Sequence, residues 1–408
     1  MSTSNNAPTY LANLTPLRGI AALLTVIFHV DLFLGYGGDM LLKFQDSMLI
    51  SRLYLMVDFF FVLSGFVMCH VYGTWFAEGV SRSRFRQFAV ARFARVYPLH
   101  FLTLLAVVLI FSVSASVGIP KSPVVQAENS LYSFITNLLL VQSMNLHQWF
   151  SWNHAAWSIS TEWWMYMLFP FLVQPFLSLK PIGRMAVVLG CFVGYVVITL
   201  WLFQAVTVTP ALAFMFGNGP APANNTINVA FQFGIVRCMC GFVLGMMMYQ
   251  GYRDGWGKTW LGNGYALLVL TLALGLCLHF AIPDVFTLCV LPLIVLSAAY
   301  GSQQMDRVFG TAPLQRLGDW SFSIYLVHQP LLFIIGSIQA YQTLGKPATG
   351  GPPTKPDMLT GWSMCLGFIL LSLLVASLTY RFVELPARKS LNSRFQKPHA
   401  PTSHVQTA

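Results

Sequence analysis

The sequence predicts an all-α polytopic membrane protein with about ten transmembrane helices, and three observations support this fold class. Charged residues make up only 9% of the 408 residues and hydrophobic residues 56%, whereas a soluble domain carries roughly 25% charged residues to keep its surface solvated. Apolar stretches of about 20 residues, the length of a bilayer-spanning helix, recur from Leu11 to Phe382 with no polar domain between them. Most of the 23 basic residues fall in alternate connections, which by the positive-inside rule places both termini in the cytoplasm.

The apolar stretches assign residues 1–387 to one integral membrane domain. The outer connection 119–155 is the longest and is rich in aromatic and polar residues, which is typical of a functional loop. After Ala387 the chain is basic and then polar, so we expect residues 388–408 to form a disordered cytoplasmic tail. The predicted spans are 12–34, 50–73, 96–118, 156–178, 185–206, 229–251, 261–281, 283–300, 320–340 and 359–384.

The net charge of +10 and the seven cysteines do not predict binding of nucleic acid or a metal. The basic residues occur in particular short loops, as a topology signal does, and do not form one basic patch. The cysteines all lie inside apolar stretches without CxxC or His-flanked spacing, so we expect buried thiols. The first ten residues are polar and uncharged, which is not the pattern of a cleavable signal peptide.

The first two predicted spans contain ionisable residues, which are costly inside a membrane and usually functional. The spacing of Arg18 and His29 places them within about 20° of one helix face and about 16 Å apart along its axis. In the second span, the carboxylate of Asp58 needs a partner such as His29 or Arg52. A snorkelling arginine, a hydrogen-bonded histidine and a structural ion pair are the alternatives. The combination favours function for Arg18 and His29 and leaves Asp58 open.

Arg92 and Arg95 end a cytoplasmic cluster of arginines ahead of the third predicted span. At i and i+3 they share one helix face, and two guanidinium groups so placed can hold phosphate oxygens bidentately. Topology alone explains the rest of the cluster, Arg82, Arg84 and Arg86. The spacing therefore makes Arg92 and Arg95 candidates for binding an anion.

His154, Ser158 and Glu162 recur every four residues at the outer boundary of the fourth predicted span. In a helix they share one face. An imidazole, a hydroxyl and a carboxylate together suit proton transfer to or from a hydroxyl group. Trp157 beside them fits either an interface anchor or a stacking platform for a sugar ring.

His328 and Arg237 lie within two later spans. Pro330 leaves a backbone carbonyl unpaired near His328, so this histidine either serves a site or satisfies that carbonyl. Arg237 is expected to be structural, because an isolated arginine in such a position more often pairs within the bundle.

Taken in chain order, these residues resemble the membrane-bound acyltransferase-3 family, the O-acetylases of bacterial polysaccharides and lipid-linked glycans. The segments DFFFVLSGF, SIYLVHQP and RFVELPARK are similar to family segments, so the resemblance extends from Leu17 to Glu384. Three paired motifs match the family: Arg-x10-His at Arg18 and His29, Arg-x-x-Arg at Arg92 and Arg95, and Ser-x3-Glu at Ser158 and Glu162.

The resemblance implies an O-acyltransferase of the bacterial inner membrane. It would move an acyl group, acetyl first and succinyl or longer as alternatives, from cytoplasmic acyl-CoA to a hydroxyl of a polysaccharide or lipid-linked sugar. His29 would act as general base or carry a transient acyl-imidazole, and Glu162 or Asp58 would orient it as in a triad. Acyl-CoA (acetyl-CoA) is then a co-substrate, and no bound cofactor and no metal is expected.

The resemblance also implies partners and a division of the site. The partners are acyl-CoA, the sugar acceptor and membrane lipids, with no nucleic acid, and a homo-oligomer is left open. The implied site residues are His29, Glu162 and Asp58 for catalysis, Arg18, Arg92 and Arg95 for acyl-CoA, and His154, Ser158, Trp157, His328 and Tyr325 on the acceptor side.

The alternative function is a proton-coupled sugar or lipid transporter, with the ionisable residues forming a proton relay. Transporters often contain two related halves with broken helices at matching positions. The sequence contains no such internal symmetry, which favours the enzyme. Release of CoA from a thioester discriminates between the two functions.

Overall fold

The computed structural model describes residues 11–120, 123–206, 226–344 and 355–395. Within these ranges the ordered elements are all helical and no β-strand occurs, which confirms the predicted all-α class. A 3₁₀ turn at Ile50–Leu55 leads into the second helix. The helices of the first half are α1 (Leu14–Leu34), α2 (Met56–Phe76), α3 (Arg82–Ser116), α4 (Pro123–Glu128), α5 (Leu131–Leu138), α6 (Ala156–Leu177), α7 (Pro181–Val197) and α8 (Phe203–Ala205).

The second half contains several long helices joined by short ones. Two π-helical turns each join consecutive helices. One, at Ile198–Leu202, joins α7 to α8, and the other, at Tyr380–Glu384, joins α17 to α18. The helices are α9 (Gly234–Asp254), α10 (Lys258–Leu261), α11 (Gly264–His279), α12 (Asp284–Thr287), α13 (Val290–Tyr300), α14 (Gln303–Phe309), α15 (Ala312–Asp319), α16 (Ser321–Thr343), α17 (Met358–Thr379) and α18 (Leu385–Phe395).

Each of the ten predicted spans coincides with a helix or a helix pair among the described residues. Six helices there are long and apolar enough to cross a membrane, or seven if the bent pair from Asp284 to Phe309 forms one span. Helix α11 is apolar but has only 16 residues. A polytopic membrane protein is therefore confirmed, whereas ten spans and two cytoplasmic termini stay predictions.

Two boundaries differ from the predicted ones. Helix α3 begins at Arg82 and not near residue 96, because the Ser81 hydroxyl accepts a hydrogen bond from the Arg84 backbone N–H and caps the helix. At the carboxyl end, α18 continues to Phe395, so residues 388–395 are helical where a disordered tail was expected. The rest of that tail, residues 396–408, lies outside the described residues.

Helices α2 and α9 pack closely because glycines face each other where their backbones meet. A Cβ atom on Gly65 would lie 1.9 Å from the Phe242 carbonyl oxygen, and one on Gly245 would lie 1.9 Å from the Val62 carbonyl oxygen. In a membrane, small residues of this kind let helices approach until backbone atoms touch. This contact fixes α2, and with it the polar residues that α2 shares with α9.

Helix α1 lies inside the bundle, against α2, α15, α16 and α17. Gly19 and Gly318 bring α1 and α15 together, since a Cβ on Gly318 would lie 2.0 Å from the Thr15 carbonyl oxygen. Helix α16 runs along the same side of α1 and also contacts α3. The ionisable residues of α1 therefore face other helices and not lipid alone.

Replacing Gly65 by Ala should destabilise the protein strongly, because the new methyl group would overlap the backbone of α9. The measurement is the thermal unfolding midpoint of purified protein in nanodiscs. Gly73→Ala on the same helix is the matched control, because a Cβ there meets nothing within 4 Å. Equal midpoints for the two variants would contradict the close α2–α9 contact.

Candidate functional site

His29 lies on α1 with one ring nitrogen already engaged. Its Nδ1 is 2.9 Å from the Thr25 carbonyl oxygen one turn earlier. A carbonyl oxygen only accepts hydrogen bonds, so Nδ1 must carry the proton. In the neutral ring, Nε2 then keeps its lone pair and is the basic nitrogen. The backbone of α1 therefore prepares His29 to accept a proton.

The side chains around His29 are aromatic. The His328 ring on α16 is 4.8 Å from the His29 ring, centroid to centroid. Phe33, one turn further along α1, lies 6.4 Å from the His29 ring and 6.4 Å from the His154 ring. Phe333 is 5.0 Å from His154. The structure thus brings His29, His328 and His154, which are distant in sequence, into one row of rings.

Ser158 and Tyr325 join α6 to α16 beside this row. Their hydroxyl oxygens are 2.7 Å apart, and the Tyr325 ring is 5.8 Å from the His328 ring. His154 precedes α6, which begins at Ala156, so the predicted helical face shared by His154 and Ser158 is wrong. His154 instead packs on Phe150 in the preceding loop, with ring centroids 5.4 Å apart.

Glu162 lies one turn beyond Ser158 and is held by Tyr166. The Tyr166 hydroxyl donates to Glu162 Oε1 at 2.5 Å and is 3.0 Å from the Ser64 hydroxyl. Arg18 is within electrostatic range of Glu162 and Tyr166. In the described part of the chain Glu162 makes no hydrogen bond to His29, which differs from the predicted orienting role. Sequence reasoning missed Tyr166, although its i+4 spacing from Glu162 is a usable signal.

Asp58 pairs with Arg237, and this corrects the predicted partners. Arg237 Nη2 is 2.6 Å from Asp58 Oδ2 and Arg237 Nε is 3.0 Å from Oδ1, with both side chains fully buried. Arg52 pairs instead with Asp284 at 2.5 Å. The α2–α9 contact turns Asp58 toward α9 and away from His29, so neither Asp58 nor Glu162 contacts the histidine. The structural role expected for Arg237 agrees with this geometry.

Arg92 and Arg95 share one side of α3 but have different partners. Arg92 donates to the Tyr72 hydroxyl at 2.7 Å and its guanidinium lies over the Tyr72 and Tyr166 rings. Arg95 forms an ion pair with Glu384, which also accepts from the Ser323 hydroxyl. Sequence reasoning missed this role of Glu384, although the residue stands in the RFVELPARK segment.

Arg18, Arg92 and Arg95 nevertheless form one cationic group. Arg95 lies within electrostatic range of Arg18, Arg92 and Arg388, and Glu384 lies 3.6 Å from Arg388 as well as beside Arg95. The guanidiniums of this group outnumber the carboxylates that pair with them, and Arg18 and Arg92 are half-buried. Such an excess of positive charge suits a phosphorylated ligand.

Pro330 leaves the Leu326 carbonyl of α16 without its helical donor. The Asn153 side-chain amide fills that place, with Nδ2 3.0 Å from the Leu326 oxygen. The alternative that His328 satisfies this carbonyl is therefore wrong. His328 is fully buried and lies close to the Ile324 and Tyr325 carbonyls of its own helix. Asn153 was missed because its role depends on a contact between distant segments.

Replacing Asp58 by Asn should cost roughly 3–5 kcal/mol of folding free energy, because Arg237 would stay buried and charged without its counterion. Unfolding of the purified protein in nanodiscs measures this loss. The double variant Asp58→Leu with Arg237→Met should recover most of it. Asp254→Asn, which breaks an exposed ion pair with Arg184, is the matched control and should cost at most about 1 kcal/mol. Wild-type stability of Asp58→Asn would contradict the structural assignment.

Comparisons with known proteins agree with the motifs. The family model described as an acyltransferase domain matches residues 11–381. Acyltransferase MdmB of Streptomyces mycarofaciens is 27% identical over 96% of this chain and 95% of its own length. Peptidoglycan O-acetyltransferase OatA of Listeria monocytogenes is 23% identical over 93% of this chain and 56% of its own length. Protein 2 in the picA locus of Rhizobium radiobacter is 38% identical over 29% of this chain and 54% of its own length.

No solved structure matches the chain. The family match covers nearly every residue that the structure describes, including both residues of each paired motif. With the row of rings around His29 and the cationic group below it, the match confirms the resemblance drawn from the motifs. The chain belongs to the acyltransferase-3 family.

Proposed function

We propose that this membrane acyltransferase moves an acyl group, most simply acetyl, from cytoplasmic acyl-CoA to a hydroxyl of a polysaccharide or lipid-linked sugar. The observation that carries the proposal is the hydrogen bond from His29 Nδ1 to the Thr25 carbonyl, which leaves Nε2 as a base inside the bundle. His29 is half-buried there, next to the His328 ring. The bacterial inner membrane is the proposed location.

The donor would approach from the side of the cationic group. Arg18 and His29 share one face of α1 about 16 Å apart, a length that an extended pantetheine arm can span. Phosphates of CoA held by Arg18, Arg92 and Arg95 would thus place the thioester beside His29. This geometry supports acyl-CoA as co-substrate, with the protein itself supplying the base.

The chemical step follows from the protonation of His29. Nε2 removes the proton of the acceptor hydroxyl as its oxygen attacks the thioester carbonyl. The carbon–sulfur bond then breaks, and the imidazolium returns the proton to the leaving thiolate, so the products are an ester and CoA. The hydroxyls of Ser158 and Tyr325, 2.7 Å apart, can donate to the carbonyl oxygen as it becomes negative. The Thr25 carbonyl would orient His29, a role that the resemblance implies for Glu162 or Asp58.

The acceptor class rests on the names of the relatives. One of them is a peptidoglycan O-acetyltransferase, whose name specifies an ester formed on a glycan. The His328 ring lies against His29, the His154 ring is separated from His29 by Phe33, and Trp157 lines the same small pocket as His154. These residues are therefore proposed to face the hydroxyl-bearing acceptor.

Replacing His29 by Ala should reduce release of free thiol from acetyl-CoA at least about 100-fold, because a general base contributes 10²–10⁴-fold. The assay uses purified protein in nanodiscs with glycan extracts as acceptor. His279→Ala is the matched control, since His279 is also half-buried and bonds Ser47 at the end of α11. Undiminished release by His29→Ala would overturn the base assignment. No release by wild type with acetyl, succinyl or longer donors would favour a transporter.

Replacing Arg92 by Ala should raise the KM for acetyl-CoA by about 10- to 100-fold, the value of a hydrogen bond to a charged group. It should leave kcat/KM for S-acetylpantetheine unchanged, because that donor lacks phosphates. Arg82→Ala, on the exposed first turn of α3, is the control and should change neither donor. A loss of equal size with both donors would contradict phosphate binding. Arg95→Ala is less informative because it also removes the Arg95 partner of the Glu384 carboxylate.

A further inference from the structure

A small pocket lies at the outer end of the row of rings. It is lined by Gln142 and Ser143 from the loop after α5, by Asn153 and His154 before α6, and by Trp157. The first three side chains are at least nine-tenths buried. The pocket encloses about 10 Å³, which is room for a single hydroxyl oxygen and not for a sugar ring.

Three polar atoms of these lining residues have no hydrogen-bond partner among the described residues: Gln142 Oε1, Ser143 Oγ and Asn153 Oδ1. The orientation of both amides is fixed, because Gln142 Nε2 donates to the Ala156 carbonyl at 3.1 Å and Asn153 Nδ2 to the Leu326 carbonyl. Both amide oxygens are thus left free. Buried polar groups without partners are costly, and these three are two amide oxygens and one hydroxyl, so the missing ligand must donate to an amide oxygen and can also accept from Ser143.

The loop that carries the pocket is rigidly braced. His147 lies 2.7 Å from the Thr136 hydroxyl and 3.3 Å from the Glu128 carboxylate. Leu140 and Trp152, both non-glycine residues, adopt φ values of 55° and 52°, a conformation that costs free energy and persists only where the surroundings enforce it. The braces hold the orphaned oxygens in place before any ligand arrives, which lowers the entropic cost of binding.

The pocket is adjacent to the proposed base. His154 lines the pocket and lies within electrostatic range of His29, with Phe33 between the two rings. Asn153 bonds α16 two residues before His328. The pocket is therefore joined to the proposed reacting centre through the His154 and Phe33 rings.

We propose that this pocket binds a hydroxyl of the sugar acceptor other than the one that reacts. The hydroxyl would donate to the amide oxygen of Gln142 or Asn153 and accept from Ser143 Oγ, while the sugar ring lies outside against Phe150 and Trp157. The proposal rests on the acyl-transfer function and adds the recognition of a polyhydroxylated acceptor. It explains why the pocket contains oxygens and why it is small.

Sugar binding tests the pocket independently of catalysis. Saturation-transfer NMR on protein in nanodiscs would use methyl glucoside and chitotetraose as probes. Ser143→Ala removes a hydroxyl that bonds nothing in the structure, so its unfolding midpoint should equal that of wild type, while its sugar Kd should rise about 3- to 10-fold. Ser372→Ala is the matched control, since that hydroxyl on α17 is also fully buried and without a partner. Its sugar Kd should not change.

The other outcomes overturn either the sugar-binding pocket or the acyl-transfer function, and they distinguish the two. Equal sugar affinity in wild type, Ser143→Ala and Ser372→Ala, or no binding of either sugar to wild type, would exclude the proposal. A lowered unfolding midpoint of Ser143→Ala with unchanged sugar affinity would assign the oxygens to an ordered water only. Sugar binding that depends on Ser143 without thiol release would refute the acyl-transfer function and leave the pocket. His29-dependent thiol release without sugar binding would do the reverse.

Discussion

The fold depends on pairing charges that the membrane does not tolerate alone. Asp58 and Arg237 are fully buried and hold α2 to α9, where glycines let the two backbones touch. The close packing brings Asp58 and Arg237 within reach of each other. The pair in turn keeps α2 against α9, because a buried carboxylate without its guanidinium would cost several kcal/mol. A second pair joins Arg52 to Asp284, which also accepts from the Tyr54 hydroxyl and the Ile227 backbone N–H. These pairs fix α2, α9 and the 3₁₀ turn at Ile50–Leu55, and α1 packs against α2 and that turn.

The Leu326 carbonyl that Pro330 leaves without its helical donor joins α16 to the loop before α6. Because α16 lacks one donor there, Asn153 can bond the Leu326 carbonyl. The loop before α6 is thereby positioned relative to His328 and His29. The unpaired carbonyl in α16 thus holds the Asn153 segment beside the proposed site. In the same way, the Thr25 carbonyl serves α1 and fixes the tautomer of His29.

The sequence predicted the helices well and their side-chain partners poorly. Apolar length identifies a membrane helix because lipid leaves few alternatives, and the i, i+4 spacing brought Ser158 and Glu162 into one helix. Which charges meet depends on helix order and rotation, so the sequence predicts His29 or Arg52 as the partner of Asp58, whereas the structure pairs Asp58 with Arg237. The early start of α3 at Arg82 was missed because the Ser81 cap shifts that boundary without changing hydropathy.

Pairing separates the structural ionisable residues from the functional ones. Asp58 and Arg237 are fully buried and satisfy each other, which leaves nothing for a ligand. His29 and Arg18 are half-buried, and within the described chain neither forms an ion pair with a carboxylate. Ionisable groups are costly at membrane depth and usually functional there, which favours these two residues for the proposed site. Ionisable residues are rare in membrane spans, and this rarity marks all of these residues equally. Burial and partners separate the Asp58–Arg237 pair from Arg18 and His29, on the face of α1 that is proposed to meet the substrate.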